Sequence, residues 1–328
     1  MKEFADNATL LVHNGSLKVS GASMTIGRLA YELVGDRYLI MLWEERRMQV
    51  IKLDHQQLQQ LAPQPPLVLA LGFFDGVHQG HQRVIQTAKR IADQRGLPLG
   101  VMTFNRHASQ LFKPNSSFRY LNTLEQKTQH MAALQVDRLY ITDFNRQFAA
   151  LAPARFVKDY LAALNAKVVV AGFDYTFGQG GSTGMVELTR LGRPYFETVT
   201  VDRLANQQLK VSSTRIRQLI AHGQLEQANQ LLGYVYETGA LFKPTTRVLG
   251  LLNAKQQLPQ AGDYRCWLVG DHYRQAVVVR VTATMQIISP YQLPPLADDL
   301  VVRVQWQQQV AEAAPLRLSE WQQTLIGR

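Results

Sequence analysis

Residues 69–84, LALGFFDGVHQGHQRV, decide the fold of this chain. An apolar run leads into a turn rich in glycine, and two histidines three residues apart, His78 and His81, stand where an amphipathic helix begins. The N-terminus of a helix offers unpaired N–H groups and the positive end of a dipole, and both attract phosphate oxygens. The order strand, glycine turn, helix therefore predicts a site for a phosphorylated ligand.

The spacing of the two histidines has a geometric explanation. Gly72 and Gly76 allow the backbone to approach a ligand closely, and Gly80 leaves room between the imidazoles, so that both rings can face one phosphate. They can then donate to the negative charge that grows at that phosphate during attack. Each histidine alone is better explained as a capping or hydrogen-bonding residue, but the combination with Asp75 and the glycines favours a catalytic site. A zinc site is disfavoured, because no third ligand lies nearby in the sequence.

A second polar motif, VSSTRIR at residues 211–217, begins another helix. Ser212 or Ser213 is a good N-cap, and capping alone explains either hydroxyl without further context. Together with Thr214 and with Arg217 one turn along, these residues provide hydroxyl, backbone and guanidinium donors. Such donors suit the β- and γ-phosphates of a nucleoside triphosphate and can hold the leaving pyrophosphate in line. The two motifs together predict transfer of a nucleotidyl group from a nucleoside triphosphate.

The fold class follows from the order of apolar runs. After a small β-rich region with turn signals at Asn14-Gly15 and Gly35-Asp36, short apolar runs alternate with helical periodicity, which favours a Rossmann-like parallel sheet with crossover helices. Predicted strands cover residues 67–72, 99–104, 138–142, 167–171 and 195–201, and predicted helices cover 81–95, 213–222 and 225–232.

Beyond Gly233 the chain becomes strand-rich again, which indicates a separate all-β unit, a barrel. Its predicted strands cover residues 237–242, 264–269, 275–282 and 300–307. The predicted domains are a small β extension without assigned chemistry at 1–50, an α/β nucleotidyltransferase domain at 51–233 and a β-barrel at 234–328.

The composition narrows the partners and the location. The net charge is +10, but no long Lys/Arg run, zinc-finger spacing or aromatic RNA-binding signature is present, so small phosphorylated substrates are expected rather than nucleic acid. No stretch approaches the ~18 apolar residues that a membrane span requires. The start of the chain has no apolar signal segment, and Cys266, the single cysteine, can form no internal disulfide. These features predict a cytoplasmic protein, and they do not predict its oligomeric state.

Several motifs together resemble a known family. GFFDGVHQGHQ, MTFNRH at 102–107, LNTLEQK at 121–127, VVVAGFDYTFGQGG at 168–181 and VSSTRIRQLI at 211–220 are similar to the prokaryotic bifunctional riboflavin kinase/FAD synthetase family, within the nucleotidylyltransferase superfamily that carries the His-x-Gly-His signature. The resemblance implies transfer of AMP from ATP to the phosphate of FMN, giving FAD and pyrophosphate, with Mg²⁺ on the triphosphate. It implies direct attack by FMN without a covalent enzyme intermediate.

The resemblance also assigns roles to individual residues. His78 and His81 match the phosphate-stabilising pair, and Asp75 matches the aspartate of the turn. Expected catalytic residues are His78, His81, Ser213, Thr214 and Arg217; expected nucleotide-binding residues are Gly72, Phe73, Phe74, Asp75, Gly76, Gly80 and Ser212; expected flavin-binding residues are Phe104, Asn105, His107 and Asp174. For Asp174 a role in the turn is an equal alternative. No protein side chain is expected to be a dedicated metal ligand.

One loop departs from the family. Where the family has Phe-x-Pro-His-Pro, this chain has Phe104, Asn105, Arg106, His107 and Ala108, so both prolines are missing from a loop expected to help hold the flavin. The departure leaves the ATP chemistry untouched and bears on flavin affinity or on the identity of the acceptor. Arg106 offers an additional phosphate contact as an alternative.

The barrel departs further. LLGYVYETGALF at 231–242 and LPQAGDY at 258–264 resemble the kinase module, but KPTTRVLGLLNA at 243–254 stands where that module has its Gly-Phe-Pro-Thr-Ala-Asn metal motif. Asn253 alone cannot rebuild the metal site, and residues 287–306 hold no suitable catalytic glutamate. Riboflavin phosphorylation is therefore expected to be lost, which leaves the barrel a role as a lid, a flavin-holding module or an oligomerising module.

Two other functions remain open from the sequence. One is a flavin- or nucleotide-binding regulator, which the extra residues 1–50 and the basic charge favour and the complete set of phosphate-binding residues disfavours. The other is adenylyl or cytidylyl transfer to a different phosphate acceptor, which the retained GFDYTFGQGG loop disfavours.

Overall fold

The computed structural model describes residues 48–54, 58, 62–113, 117–202, 211–243, 246–270, 274–289 and 300–310, and the backbone alone of the short strands at 11–41 and 205–210. The chain forms two compact units, Met1–Arg47 and Met48–Arg328.

The first unit contains antiparallel strands. β1 (Leu11–His13), β2 (Ser16–Val19) and β3 (Ala22–Met24) form one small sheet, and β4 (Ala30–Val34) pairs with β5 (Arg37–Met41). The pairs His13–Ser16 and Val34–Arg37 close the two predicted hairpins. The turns Asn14-Gly15 and Gly35-Asp36 themselves lie outside the described residues.

The second unit begins with a parallel sheet, whose described strands follow the order β11-β10-β7-β8-β9-β6. The strands are β6 (Gln49–Leu53), β7 (Leu67–Leu71), β8 (Leu99–Phe104), β9 (Arg138–Thr142), β10 (Ala166–Gly172) and β11 (Glu197–Val201). From β7 the chain runs outward through β8 and β9, then returns to build β10 and β11 on the other side. The strand order reverses beside β7, and ligands of open α/β sheets bind at such a point, beyond the carboxyl ends of the strands.

Strand β7 shows why the sheet is buried on both faces. All of its residues, LVLAL, are buried, as is typical of a central parallel strand. Val68 and Ala70 pack into one core cluster with the first helix of the domain, and Leu69 and Leu71 pack into another with helices on the opposite face. The alternating direction of side chains along a strand therefore serves two apolar layers at once.

Helices pack on both faces of this sheet, and two further helices pack against the barrel. In chain order the helices are α1 (Gln79–Arg95), α2 (Ala108–Phe112), α3 (Leu124–Ala133), α4 (Arg146–Ala149), α5 (Pro153–Phe156) continuing as a π-helix (Val157–Ala162), α6 (Met185–Gly192), α7 (Ser213–Ala221) and α8 (Leu225–Leu232). Gly96 ends α1 in the left-handed conformation, with φ of 62°, as its position after the apolar stripe predicts.

Two short hairpin strands, β12 (Ala205–Asn206) and β13 (Leu209–Lys210), precede α7. Beyond α8, the described strands close into the barrel β14-β15-β18-β17-β16-β19. They are β14 (Glu237–Lys243), β15 (Val248–Leu251), β16 (Gly262–Val269), β17 (Arg274–Val281), β18 (Ile287–Ile288) and β19 (Leu300–Val310). The predicted α/β domain followed by a β-barrel is thereby confirmed.

One hydrophobic core joins the barrel to the last two helices. Ile216 and Ile220 of α7 and Leu232 of α8 belong to the same buried cluster as Tyr264 and Trp306 of the barrel. The predicted domain boundary after residue 233 therefore passes through a shared core.

Several elements escaped the sequence patterns. Strand β6 begins at Gln49, within the predicted β extension, yet it pairs in parallel with β9 of the α/β sheet. Only Leu53 of this strand is fully buried. The strand therefore lacks the continuous run of apolar residues by which a central parallel strand is recognised in a sequence. Strands β15 and β18 are short, and α3 begins with a capping box between Thr123 and Gln126 that the apolar pattern alone does not reveal.

Candidate active site

The turn between β7 and α1 is strained. Phe74, Gly76 and Val77 all have positive φ angles, of 52°, 82° and 33°. For a β-branched residue such as Val77 this conformation is costly, and costs of this kind concentrate at functional sites. Phe74 is buried beneath the turn, and its ring meets His81 edge-on at 5.3 Å between centroids. The turn thus holds the two histidines in a fixed orientation.

His78 and His81 lie together, as their spacing predicts. Their rings stack with centroids 3.6 Å apart, and a side chain at Gly80 would meet the ring of His78 at 3.2 Å. His78 caps α1, because its Nδ1 accepts a hydrogen bond of 3.3 Å from the backbone N–H of His81. The neutral ring of His78 therefore carries its proton on Nε2, where it is free to donate.

Both imidazole rings are neutral at neutral pH, so each can donate one N–H hydrogen bond. Burial, assisted by the charge of Arg217, lowers the pKa of His78 to about 4. Burial, followed by the influence of His78 and Lys127, holds the pKa of His81 well below its usual range. The Nδ1 atom of His81 is buried and has no hydrogen-bond partner within the described residues. A bound anion would accept hydrogen bonds from such groups and raise their pKa.

Asp75 connects the turn to two distant parts of the chain. Its Oδ1 accepts hydrogen bonds from the backbone N–H groups of Leu121, at 3.0 Å, and Asn122, at 3.4 Å, and its Oδ2 lies 3.3 Å from Nη2 of Arg217. Burial raises the pKa of Asp75, while Arg217, Lys127 and the two backbone donors oppose that rise. The side chain is only 2% exposed, so its carboxylate organises the turn from within.

The second motif reaches the same turn. Ser212 caps α7 by accepting from the N–H of Arg215, and Ser213 donates from Oγ to the backbone oxygen of Asp75 at 2.9 Å. Thr214 is exposed at the first turn of the helix. The sequence left open which serine is the cap, and the structure places Ser212 there. Ser213 and Thr214 thus stand beside the histidine turn, although the two motifs are far apart in the chain.

A cleft of about 420 Å³ opens between the two helix N-termini. It lies at the carboxyl ends of β7, β8, β10 and β11, where the strand order reverses. Most of the predicted site residues line it: Gly72, Phe73, Phe74, Asp75, His78, Gly80, His81, Phe104, His107, Asp174, Ser212, Ser213, Thr214 and Arg217. Gly76 forms the buried part of the turn, and its backbone oxygen accepts from the hydroxyl of Tyr234 at 2.7 Å.

Asn105 is placed differently from the other predicted residues. Its amide donates to Oδ1 of Asp143 at 2.6 Å and accepts from the N–H of Phe144 at 3.0 Å. Arg106, which the sequence offered as a phosphate contact, pairs with the same carboxylate at 3.1 Å. Asp143 therefore fixes the loop that lacks its two prolines, and neither side chain is among those that line the cleft.

Phe118 is a residue of the site that the sequence did not indicate. Its ring stacks on His107, with centroids 4.1 Å apart and planes 4° apart. The guanidinium carbon of Arg217 lies 4.5 Å from the centroid of Phe118. Phe118 therefore links the loop expected to hold the flavin to the arginine expected to hold the triphosphate.

Lys127 is a second such residue. Its ammonium, buried beneath the turn, donates to the backbone oxygen of Phe73 at 2.7 Å and lies 4.4 Å from the centre of that ring. Burial lowers the pKa of Lys127 to about 8, and the charge of Asp75 opposes the shift. The capping box that begins α3 was the available signal, because it places Lys127 in the first turns of a helix whose next buried position is Met131.

An aromatic cavity of about 410 Å³ adjoins the cleft. Phe104, Tyr175 and Thr176 line both spaces. The remaining walls of the cavity are mainly aromatic rings and glycines, namely Phe112, Phe144, Phe148, Phe156, Phe177, Gly178, Gly180 and Gly181. The two spaces thus differ in chemistry, since one is lined by many polar hydrogen-bond donors and the other by aromatic surface.

Comparison with known proteins identifies the family. A family model described as FAD synthetase matches residues 60–215, which include both polar motifs up to Arg215. An FAD synthetase from Listeria monocytogenes is 35% identical over 175 residues, which cover 52% of this chain and 71% of that protein. The chain belongs to the FAD synthetase family.

Other relatives of this family member are bifunctional. A bifunctional riboflavin kinase/FMN adenylyltransferase from Listeria monocytogenes is 48% identical over 172 residues, and one from Bacillus subtilis is 40% identical over 190 residues. These matches cover 55% and 60% of the relatives, so the chain spans little more than half the length of the bifunctional proteins it matches.

One solved structure resembles a larger part of the chain. A crystal structure from Streptococcus pneumoniae, titled a macrolide-efflux protein, has a TM-score of 0.71 and 28% identity, and it covers 80% of this chain and 100% of its own. Within the described residues of the present chain, no helix is both long and apolar enough to cross a membrane.

Proposed function

We propose that this protein is an FMN adenylyltransferase, an FAD synthetase that transfers AMP from ATP to FMN. The observation that carries the proposal is the convergence of His78, His81, Ser213, Thr214 and Arg217 on one cleft. Two helix N-termini face that cleft, which suits a triphosphate. The names of the family and of the relatives support the choice of substrates.

The proposed reaction is a direct displacement. A phosphate oxygen of FMN forms a bond to the α-phosphorus of ATP, and the bond from that phosphorus to the bridging oxygen of the β-phosphate breaks, so pyrophosphate leaves with the electron pair. The phosphate of FMN is already ionised, so no side chain has to remove a proton from it. The protein must place two anions in line and stabilise the charge that builds up between them.

The residues of the cleft divide this task. His78 donates from Nε2, and His81 from its own ring N–H, to oxygens of the α-phosphate, where a preorganised donor acts most strongly in the transition state. Thr214 and the N-terminus of α7 hold the leaving pyrophosphate, and Ser213 adds to them when its hydroxyl turns from the backbone oxygen of Asp75 to a phosphate oxygen. Arg217, already oriented by Asp75 and Phe118, adds a fixed positive charge.

The aromatic cavity is the proposed site for the isoalloxazine ring. An extended planar ring system gains most from apolar and aromatic walls, and Phe104, Tyr175 and Thr176 form the passage from that cavity to the phosphate-binding cleft. His107 and the exposed carboxylate of Asp174 line the cleft near this passage. Asn105 would act through the loop rather than by touching the flavin, because Asp143 and Phe144 occupy its amide.

ATP is proposed to bind with Mg²⁺. Within the described residues no group of three or more His, Cys, Asp or Glu side chains could hold a metal ion, so triphosphate oxygens and water would supply most of the ligands, as is usual for Mg²⁺. Asp174 and Asp202 are the exposed carboxylates among the described residues that line the cleft, and either would be placed to add a protein ligand. When bound, the cation neutralises charge on the leaving pyrophosphate.

The proposal keeps 1–50 as a β extension of unassigned role, 51–233 as the transferase and 234–328 as a degenerate kinase-like barrel, except that Gln49 and Val50 of β6 go with the transferase sheet. The barrel interior is filled with buried side chains, including Tyr236, Tyr264 and Trp306, and the indole of Trp306 donates to Oγ1 of Thr238 at 3.1 Å. This packing, with the missing metal motif, supports loss of riboflavin kinase activity. The proposal includes a cytoplasmic location and no nucleic-acid partner.

One assay tests the function. The purified chain is incubated with ATP, Mg²⁺ and either FMN or riboflavin, and the products are separated by chromatography and identified by absorbance. FAD from FMN, without FMN from riboflavin, is expected. Formation of FMN from riboflavin would contradict the loss of kinase activity. Flavin binding without turnover would favour a regulator, and turnover only with another phosphorylated acceptor would change the substrate.

A further inference from the structure

Residues 118–122, between α2 and α3, form a hub beneath the candidate active site. Phe118 stacks on both His107 and Arg217. The hydroxyl of Tyr120 accepts from the backbone N–H of His107 at 3.1 Å. The N–H groups of Leu121 and Asn122 hold the carboxylate of Asp75. The hub therefore contacts the histidine turn, the arginine of the cleft and the loop at the flavin side.

The barrel is hydrogen-bonded to this hub through the loop between β15 and β16. The backbone N–H of Tyr120 donates to the oxygen of Lys255 at 2.8 Å, and the N–H of Gln257 donates to the oxygen of Tyr120 at 2.9 Å. These bonds form a strand-like bridge between Tyr120 and Gln256. The loop lies in the part of the barrel where the kinase motif is degenerate.

Gln256 reinforces that bridge with its side chain. It is 2% exposed, and its Nε2 lies 3.2 Å from the backbone oxygen of Leu121, 2.9 Å from Oε1 of Gln126 and 2.9 Å from the backbone oxygen of Glu237. These acceptors belong to the hub, to α3 and to the first barrel strand. One buried amide thus joins the two parts of the molecule directly behind Asp75, and a buried carbonyl that loses its donor is costly.

Helix α7 provides a second, independent connection. Its N-terminus carries Ser213 and Thr214 into the cleft, while Ile216 and Ile220 lie in the core cluster of the barrel. The same short helix therefore bears phosphate-binding hydroxyls at one end and packs against the barrel along its side.

We propose that contacts from the barrel hold the adenylyl-transfer site in its active shape, and that Gln256 is a positioning residue for the reaction. The inference rests on the proposed function. Gln256 holds Leu121, and the N–H groups of Leu121 and Asn122 hold Asp75, so the turn that carries His78 and His81 keeps its shape only while the barrel loop is bonded to the hub. A barrel without kinase activity would retain this mechanical role in the same polypeptide.

The test compares two neighbouring glutamines. Gln256→Met removes the donor at nearly constant volume, and Gln257→Met makes the same change at a residue whose side-chain amide donates to Leu258 within its own loop. Hydrogen exchange of the Leu121 and Asn122 amides and steady-state kinetics with ATP and FMN are measured for both variants and for the unaltered chain.

In Gln256→Met the two amides are expected to exchange about tenfold faster and kcat to fall about tenfold, with the KM for ATP within about twofold of its original value. Gln257→Met is expected to match the unaltered chain in all these quantities. A purely structural role would lower the unfolding midpoint and leave kcat of the folded protein intact. Should Gln256→Met fail to fold, Gln256→Asn keeps a buried amide one carbon too short and is expected to show a smaller change of the same sign.

The outcomes separate the two proposals. Unchanged exchange and unchanged kcat in a folded Gln256 variant, in a chain that makes FAD, overturn the positioning role alone. A chain that makes no FAD from FMN overturns the proposed function, and the inference falls with it. Equal losses in Gln256→Met and Gln257→Met also overturn it, because they would indicate a general effect of disturbing the loop.

Discussion

The imidazole rings of His78 and His81 lie parallel, with centroids 3.6 Å apart and 16° between their planes. Two positive charges at this distance would repel each other strongly, and burial disfavours either charge. Both rings are therefore neutral in the free protein at neutral pH, and each offers one N–H. A phosphate group entering the cleft meets two donors that are already oriented.

Replacement of His81 by alanine tests the catalytic role of the pair. The variant is expected to lose on the order of 100-fold in kcat, because one donor to the charge developing at the α-phosphate is removed. His222→Ala is the matched control, since His222 ends α7 outside the cleft and bonds to the carbonyl of Gln218. Steady-state rates of FAD formation measure both. A His81 variant with nearly normal kcat would contradict the assigned role.

The acid stability of the protein depends on His78. Its folded pKa of about 4 lies below the ordinary value, so between these values the unfolded chain binds a proton that the folded chain does not. Stability therefore falls as the pH decreases through this window, by on the order of 2 kcal/mol between pH 7.5 and pH 5. Above the ordinary pKa the contribution is fully present.

Urea unfolding of the unaltered chain and of His78→Gln at both pH values measures that contribution. Glutamine can still accept from the N–H of His81, so the variant is expected to fold and to lose less stability on acidification. Burial raises the pKa of Asp75, which acts with the opposite sign in acid, but Asp75 is present in both proteins and cancels in the comparison. Equal acid sensitivity of the two proteins would refute the assignment.

A substitution at Phe112 tests whether the aromatic cavity binds the flavin ring. Its side chain is 56% exposed and lines the aromatic cavity, so Phe112→Ala is expected to change the free energy of unfolding by no more than about 0.5 kcal/mol. The KM for FMN is expected to rise about tenfold through lost contact with the isoalloxazine ring, with the KM for ATP unchanged. Tyr195→Ala, at an aromatic residue that is 43% exposed and lines neither space, is the control. A parallel rise in the KM for ATP would argue against separate sites.

Alanine substitutions at Gly76 and Gly96 separate the cost of backbone strain from the cost of steric overlap between side chains. Both glycines have positive φ angles, so alanine at either position costs about 1–2 kcal/mol. At Gly96 an added Cβ would meet nothing within 4 Å, whereas at Gly76 it would lie 2.6 Å from Cδ1 of Leu121. Gly76→Ala is therefore expected to cost about 1–3 kcal/mol more in chemical unfolding and to reduce kcat as well. Equal losses of stability in the two variants would show that Leu121 can move away from the added Cβ at little cost.

Much of the architecture could be predicted because its signals are local. The apolar run of β7, the capping position of His78 and Gly96 at the end of α1 each depend on residues a few positions apart. The cleft followed from two such signals, because both motifs place a helix N-terminus next to a strand end.

The remaining parts of the site depend on contacts between distant residues. Leu121 and Asp75 are 46 positions apart, and Gln256 and Leu121 are 135 apart. Nothing near Phe118 or Gln256 in the sequence distinguishes them from an ordinary aromatic residue or a surface glutamine. Asn105 was expected to contact the flavin, but its side chain is hydrogen-bonded to Asp143 and to the backbone of Phe144. These partners lie 38 and 39 positions away, so no local pattern at Asn105 indicates them.

Strand β6 has a practical consequence for anyone who wishes to shorten this chain. It forms one edge of the parallel sheet, where Gln49–Leu53 pairs residue by residue with Arg138–Thr142, yet it precedes residue 60, at which the family match begins. Truncation at residue 60 would make β9, which is mostly buried, the edge of the sheet in place of β6, and an apolar edge strand of this kind recruits other chains. Such a fragment is expected to self-associate more than one that starts at Met48, whose edge strand β6 is largely exposed and carries Lys52.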